Sequence, residues 1–301
     1  MLKTHTDGRV WLVTQPDHGQ LAGYLAAHWG NQTFSVPGYY TNVPDPERLR
    51  AEIVFAVAQH DNGWWEWEAS PDLDHLDALP LGLADVLKDQ QAGMNRWRLG
   101  LSRFPENPYV NLVISSHAYW LYAVRILSQP NPAFTHPLFW KTPPEILYPG
   151  SQDAPQAFLR ELEQKQSQWT SRLRSDPSTS DWLDPESLSP HVRLLQLCDG
   201  MSLALSSNLI SARDGQTKGL GQDEYNLQDV PRQSWADRVT IRVTPLGGRR
   251  IALNPYPFDV DPLPVSLPVM IADDLPNRPR DFRSWRQAQV PQMLTFQLES
   301  A

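Results

Sequence analysis

Hydrophobic residues recur every three to four positions through most of the first 206 residues, with polar residues between them. This spacing places the apolar side chains on one face of a helix and predicts amphipathic helices that pack around a common core. The first helix has Thr14 as its N-cap with Asp17 three residues later, and the second starts at Asp45, followed by Pro46. Six helices are predicted, over residues 14–29, 45–63, 83–103, 108–127, 154–174 and 189–206.

The pattern changes after residue 212. Residues 213–236 are polar and contain Gly215, Gly219 and Gly221, which predicts a linker loop. Short β-like runs follow, and another lies at residues 9–13. The later runs are residues 240–244, 250–253, 265–271 and 293–298. The sequence therefore predicts a mainly α protein, with a helical domain over residues 1–212, the linker, and a small β-rich C-terminal region over residues 237–301.

Composition narrows the classes to which the chain can belong. The formal net charge of −8 argues against a large basic surface, so no nucleic-acid partner is expected. No apolar run reaches the roughly 20 residues of a membrane helix, and the first residues lack the pattern of a secretory signal. We therefore expect a cytoplasmic protein without a membrane partner. Because Cys198 is the only cysteine, a metal site would have to use histidine and carboxylate ligands.

Three histidines lie in apolar rows of the predicted helices. His18, His60 and His117 each continue a row of apolar residues at the helical spacing, so each lies on a face that points to the core. His60 is followed at once by Asp61. Neighbouring helical residues point about 100° apart, so these two side chains can converge only on something between them. A cation fits that description.

Asp199 is a fourth polar residue on an apolar face. It lies between Leu195 and Leu203, four residues away on either side, where an unpaired carboxylate is costly. Asp199 therefore needs a positive partner. Histidine and carboxylate groups on the inward faces of different helices are what coordination of a divalent metal requires. We expect a divalent metal ion, with Fe, Mn, Zn, Ni and Mg as candidates.

The order of His18, the His60-Asp61 doublet and a distant Asp199 on helices resembles the HD-domain superfamily. The chain is also similar, over nearly its whole length, to a bacterial family catalogued as domain of unknown function 3891. The resemblance implies an HD-domain-like helical bundle in which His18, His60, Asp61 and Asp199 hold the metal. The segments that carry the second likeness are Gln15-Pro16-Asp17-His18, Ala58-Gln59-His60-Asp61-Asn62-Gly63-Trp64, Ser115-Ser116-His117, Leu195-Gln196-Leu197-Cys198-Asp199 and Leu253-Asn254-Pro255-Tyr256-Pro257-Phe258.

The chain departs from many HD hydrolases directly after the doublet. Those proteins continue with a glycine and a lysine, whereas this sequence runs Asn62-Gly63-Trp64-Trp65. Neither tryptophan can supply a cation, so a replacement would come from Lys88, Arg96 or Arg98 of the third predicted helix. We expect Trp64, Trp65 and Arg96 to line the substrate pocket.

His117 has three roles open to it. It could bind a second metal, contact a substrate oxygen, or serve as a core histidine bonded to a carbonyl. Its predicted helix carries no inward-facing Asp or Glu, which a second metal would need. We therefore expect His117 to be a catalytic residue that faces the metal, together with Asp61.

The leading hypothesis is a metal-dependent hydrolase of HD type. It would act on a small anionic molecule that contains a phosphoester, through a metal-activated water. One alternative is an HD-like di-iron oxygenase, because Trp64, Trp65 and Trp67 suit a less charged ligand. The other is a non-catalytic protein that binds a ligand or a partner, for instance through the proline-rich residues 130–149. Sequence signals of α/β-hydrolases, P-loop proteins and Rossmann folds are absent.

Overall fold

A seven-stranded sheet is the largest departure from the expected architecture. The computed structural model describes residues 1–86, 88–126, 153–273 and 281–301. Of the described residues, 46% are helix and 21% are strand, and the strands form one curled, mixed sheet shaped as a half-barrel. The expectation of a mainly α, all-helical bundle with a small β-rich region is therefore wrong, and the fold is mixed α/β. The proline-rich residues 130–149 lie outside the described residues.

The sheet joins strands that are far apart in the sequence. The hairpin of β1 (Leu2–Thr6) and β2 (Arg9–Val13) pairs through β2 with β6 (Leu263–Asp273). The order across the sheet is β1-β2-β6-β7-β5-β4-β3. β5 and β7 are parallel, and the other neighbours are antiparallel. The remaining strands are β3 (Tyr225–Pro231), β4 (Arg238–Gly247), β5 (Arg250–Asn254) and β7 (Gln292–Ser300).

Local sequence pattern underestimated the sheet for a physical reason. β3 lies inside residues 213–236, which were expected to form a linker loop. The β-like run at residues 9–13 is a strand, as predicted, but its partner β6 is supplied by a distant part of the chain. Strand stability depends on cross-strand neighbours more than on local propensity. The number of strands that assemble could therefore not be read from the runs themselves.

The helices pack mainly on one another, and α1 and α8 also contact the sheet, at β6 and β3. α1 packs against α2 and α8, and α6 packs against α2, α7 and α8. None of the helices in the described ranges is long and apolar enough to cross a membrane. The helices are α1 (Gln15–Ala27), α2 (Pro46–Ala58), α3 (Trp65–Ala69), α4 (Leu83–Val86), α5 (Gln90–Ser102), α6 (Pro108–Ile126), α7 (Asp153–Arg174), α8 (Pro185–Ser206) and α9 (Phe282–Ala288).

The predicted caps set where the first two helices begin. The hydroxyl of Thr14 accepts a hydrogen bond from the backbone N–H of Asp17 at 3.1 Å, and Asp45 caps α2 in the same way. α2 ends at Ala58, earlier than Gly63, where the sequence had placed its end. The residues after Ala58 therefore form a turn, followed by a short 3₁₀ helix over Asn62–Trp64, and this turn carries the His-Asp doublet.

Two glycines of α1 allow an unusually close contact with α2. A Cβ atom on Gly23 would lie 2.4 Å from the Cβ of Ala58, and one on Gly19 would lie 3.0 Å from the Ala58 carbonyl oxygen. Such distances leave no space for a side chain. The absence of side chains at these positions brings the middle of α1 against the end of α2, directly beside His18.

Glycine-to-alanine changes in two helices should have opposite effects on stability. Gly23→Ala should lower the free energy of unfolding by about 1–3 kcal/mol, because the added methyl group overlaps Ala58. Gly200→Ala in α8 is the matched control. Its Cβ would meet no atom of the described residues within 4 Å, so higher helix propensity should raise the free energy of unfolding by up to about 1 kcal/mol. Urea unfolding measures both variants, and equal changes would contradict the close contact.

Candidate metal centre

Five polar side chains from four parts of the fold meet in the interior. His18 lies on α1, His60 and Asp61 lie in the turn after α2, His117 lies on α6, and Asp199 lies on α8. The three histidines are 2% exposed or less, while the carboxylate side chains of Asp61 and Asp199 are 13% and 14% exposed. The sequence-based prediction placed all five at one site, and the structure brings all five together.

His18, His60 and Asp199 form the most compact group. The Nε2 atom of His18 lies 3.1 Å from Oδ1 of Asp199, and that of His60 lies 3.3 Å from the same oxygen. The three ligand atoms all lie within 4.8 Å of one another. Metal–ligand bonds of about 2.0–2.2 Å place neighbouring ligand atoms roughly 3.0–3.4 Å apart. The spacing of the three side chains therefore suits a single cation between them, and they form a candidate metal-binding triad.

Hydrogen bonds at the far side of each ring fix which nitrogen faces the triad. The Ser202 hydroxyl donates to the backbone carbonyl of Asp199 at 2.9 Å, so its oxygen accepts from Nδ1 of His18 at 2.7 Å. Nδ1 of His60 donates to the Val57 carbonyl at 2.7 Å, since a carbonyl can only accept. We assign from these contacts a proton to each Nδ1 and a lone pair to each Nε2 in the neutral rings.

With both rings neutral, this assignment places electron-rich atoms against one another at the centre of the site. Both Nε2 lone pairs point toward a carboxylate oxygen, and neither Nε2 atom has a hydrogen-bond partner among the described residues. Two lone pairs and an anion attract only if a proton or a metal ion lies between them. Histidine rings oriented in this way by a hydroxyl and a backbone carbonyl are typical of metal ligands.

The local charges change the pKa values in the direction that a cation would require. Burial lowers the pKa of His60, but the charges of Asp61 and Asp199 outweigh burial and raise it to about 9. Burial would raise the pKa of Asp199, yet contact with His18 and His60 holds it well below its ordinary value. The site therefore keeps Asp199 ionised and attracts positive charge.

Asp61 lies at the edge of the triad. Its Oδ2 atom is 3.7 Å from Nε2 of both His18 and His60, longer than the corresponding distances from Asp199. Burial raises the pKa of Asp61. The carboxylate faces the same space as the triad but is not part of its most compact group, so its role as a fourth ligand stays a prediction.

His117 faces the other oxygen of Asp199. Its Nε2 atom lies 3.5 Å from Oδ2, and its Nδ1 atom is buried without a hydrogen-bond partner among the described residues. The ring packs against Trp97 and Trp120, with ring centroids 5.9 Å away in each case. Burial lowers the pKa of His117 to about 4, so the ring is neutral at pH 7. This environment differs from that of the other two histidines, whose Nδ1 atoms are both held.

The three residues expected to line a substrate pocket do not stay together. Trp64 is buried and carries the guanidinium of Arg96 at 4.3 Å from its ring centroid. Trp65 is 41% exposed and lies under Arg103 instead, at 4.9 Å. The structure thus groups Trp64 with Arg96 and separates Trp65 from them.

The sequence analysis did not identify two groups that orient the histidine rings, the Ser202 hydroxyl and the Val57 carbonyl. Ser202 lies three residues after Asp199 on α8, so their side chains share a helix face. That spacing was a usable signal, because a hydroxyl one turn beyond a buried carboxylate can reach whatever the carboxylate contacts. The Val57 carbonyl left no signal, since it becomes available to His60 only because α2 ends at Ala58.

The fold and the site define a mixed α/β protein with a buried histidine–carboxylate triad. A family model described as a protein of unknown function (DUF3891) matches residues 1–274. The chain therefore belongs to this family, which confirms that part of the sequence-based resemblance. No curated protein and no solved structure matches the chain. The likeness to the HD-domain superfamily stays a prediction.

Asp199→Asn should strongly weaken metal binding. The change keeps the shape of the side chain but removes the charge that faces two imidazoles. Losing a group that only supports a ligand already costs 10–100-fold in affinity, so we expect a loss of at least about 100-fold. Asp17→Asn is the control, because Asp17 adjoins His18 in sequence but its carboxylate contacts Thr14. Titration with Zn²⁺ or Mn²⁺ measures both variants, and unchanged affinity in Asp199→Asn would assign Asp199 a purely structural role.

Ser202→Ala should weaken metal binding by about 10–100-fold, because His18 loses the acceptor that holds its ring and its tautomer. Ser206→Ala is a matched control on the same helix. Its hydroxyl is also buried and donates to a helix carbonyl, at 2.6 Å, but contacts no histidine. We expect less than about a twofold effect there. If the same metal titration gave equal losses, the effect would come from helix packing and not from His18.

Proposed function

We propose that the protein is a metal-dependent hydrolase that acts on a small phosphoester, with a centre of the HD type. The observation that supports this proposal is the triad, in which two imidazole lone pairs and one carboxylate oxygen lie at ligand spacing. Three protein ligands with further positions left for water or substrate are typical of catalytic metal sites, whereas structural sites use four protein ligands.

Each residue of the centre has a distinct part in this proposal. His18, His60 and Asp199 hold a divalent cation, which would polarise a phosphoryl oxygen and lower the pKa of a water molecule. Asp61 is the partly exposed carboxylate beside both imidazoles, and it accepts a proton from the attacking water. His117 is neutral at pH 7 and presents an imidazole to a substrate oxygen.

The shape and charge of the site suit a small substrate. The three histidines are almost fully buried and the two carboxylates are only 13% and 14% exposed, so a macromolecule would not reach them without rearrangement of the surrounding helices. The net charge of −8 gives no support to nucleic-acid binding. A small anionic ester, drawn in by the cation, is the substrate class that fits both features.

His117→Gln tests the proposal because it separates metal binding from turnover. Protein purified without chelator or affinity metal should contain about one divalent metal ion per chain and should hydrolyse p-nitrophenyl phosphate or its bis-ester. His117→Gln should keep the metal and lose about 100-fold or more in kcat, the usual scale for a proton-transfer group. His75→Gln is the control, because the His75 side chain is 90% exposed.

The same measurements decide between the earlier hypotheses. Two iron atoms per chain together with consumption of O₂ would replace the hydrolase with the oxygenase. Protein that binds no divalent metal at any concentration tested would favour the hypothesis of a non-catalytic protein that binds a ligand or a partner. Wild-type turnover in His117→Gln would remove His117 from the catalytic residues, and metal loss would make it a ligand.

A further inference from the structure

α5 lies directly on the turn that carries the His-Asp doublet. A Cβ atom on Gly63 would lie 2.0 Å from the backbone carbonyl oxygen of Arg96, and one on Gly100 would lie 2.8 Å from the side-chain oxygen of Asn62. Gly63 follows Asp61 by two residues, a path of about 7 Å at most. Trp97 follows Arg96 in α5, and its ring packs against His117. One turn of α5 therefore adjoins the metal centre at two points.

The side chain of Arg96 occupies a corner between two tryptophans. Its guanidinium carbon lies 4.3 Å from the ring centroid of Trp64 and 5.6 Å from that of Trp67. The two rings are nearly perpendicular, at 83°. Stacking on aromatic faces fixes the plane of a guanidinium and leaves its N–H groups directed outward at the edge.

Arg96 has no anionic partner in the part of the chain that the structure describes. It forms no ion pair or side-chain hydrogen bond there, and its Nη1 atom is buried without an acceptor. Burial lowers the pKa of Arg96, although the charges of Asp72, Asp89 and Glu68, none of which forms an ion pair with it, act in the opposite direction. A buried N–H of a charged group that has no acceptor destabilises the folded protein. A bound anion would supply the missing acceptor.

Two other arginines nearby each have a carboxylate partner, although Nε of Arg103 is, like Nη1 of Arg96, buried without an acceptor among the described residues. Arg103 also lies over a tryptophan, but both oxygens of Glu66 accept hydrogen bonds from it at 2.6 Å. Arg98 donates to Glu161 at 2.7 Å. Arg96 differs from both because it has the aromatic support without the carboxylate.

We propose that Arg96, held between Trp64 and Trp67, binds the phosphoryl group of the substrate. Guanidinium groups bind phosphate oxygens in pairs, with a geometry that a point charge such as lysine does not provide. This inference rests on the proposed function and specifies it further: the substrate carries an anionic phosphoryl group, and the protein holds that group by Arg96 in addition to the cation.

Inorganic phosphate is the probe that tests this assignment, used with the full chain by isothermal titration calorimetry. Wild-type protein should bind phosphate, and Arg96→Gln should weaken binding at least tenfold while its metal content stays unchanged. Arg103→Gln is the matched control, because it removes a stacked arginine that already has a partner; we expect less than a twofold change. With p-nitrophenyl phosphate, Arg96→Gln should raise KM more than it lowers kcat.

A second variant keeps the test decisive if Arg96→Gln does not fold. Arg96→Lys retains the charge but not the paired geometry, so phosphate binding should weaken at least threefold. Wild-type affinity for phosphate in a folded Arg96 variant overturns the assignment, as does the absence of phosphate binding in the wild-type protein.

The two proposals fail in different ways. If metal-loaded protein binds phosphate equally well with and without Arg96, the assignment of Arg96 is wrong and the metal centre is unaffected. If the protein has no affinity for divalent metal but its phosphate binding depends on Arg96, the proposed hydrolase is wrong and the anion site at Arg96 is supported. Metal content, measured on the same samples, tells these results apart.

Discussion

The contact of α1 with the end of α2 is the constraint on which the site depends. Gly19 and Gly23 leave the space that Ala58 occupies, so the two helices approach at backbone distance. Because α1 also packs against α8, it holds His18 between the turn that carries His60 and the helix that carries Asp199. The ring centroids of His18 and His60 lie 5.2 Å apart as a result. Backbone packing, which no single ligand could impose, thereby sets the spacing of the ligand atoms.

Within that frame, charge and hydrogen bonding act together. Ser202 and the Val57 carbonyl turn the Nε2 atoms of two imidazoles toward an ionised Asp199, an arrangement that is repulsive while both rings are neutral and attractive once a proton or a metal ion lies between them. His117 meets the opposite oxygen of the same carboxylate in an apolar surrounding that keeps it neutral. One carboxylate therefore separates two environments, one that favours positive charge and one that keeps an imidazole neutral.

The sequence predicted which polar residues come together better than it predicted the fold, for a physical reason. A period of 3.6 residues is a local property, and it was enough to place His18, His117 and Asp199 on inward faces. The sheet depends on pairing between β2 and β6, which no local period records, so the mixed α/β class was missed. The sequence also did not predict the exposure of individual side chains near the site. Adjacent tryptophans look equivalent in the sequence, yet the turn after Asp61 buries Trp64 and exposes Trp65.

The connection between the sheet and α1 also sets the order in which the centre can assemble. Only Thr14 separates β2 from α1, so the pairing of β2 with β6 helps to fix the position of His18. A ribosome releases β2 and α1 long before β6, and the entropy of closing so long a loop opposes the contact until the later strands exist. The position of α1 against the sheet is therefore fixed only late in synthesis, when β6 has left the ribosome. The triad itself also needs Asp199 of α8, so His18 and His60 stay without their carboxylate partner until that helix has been synthesised.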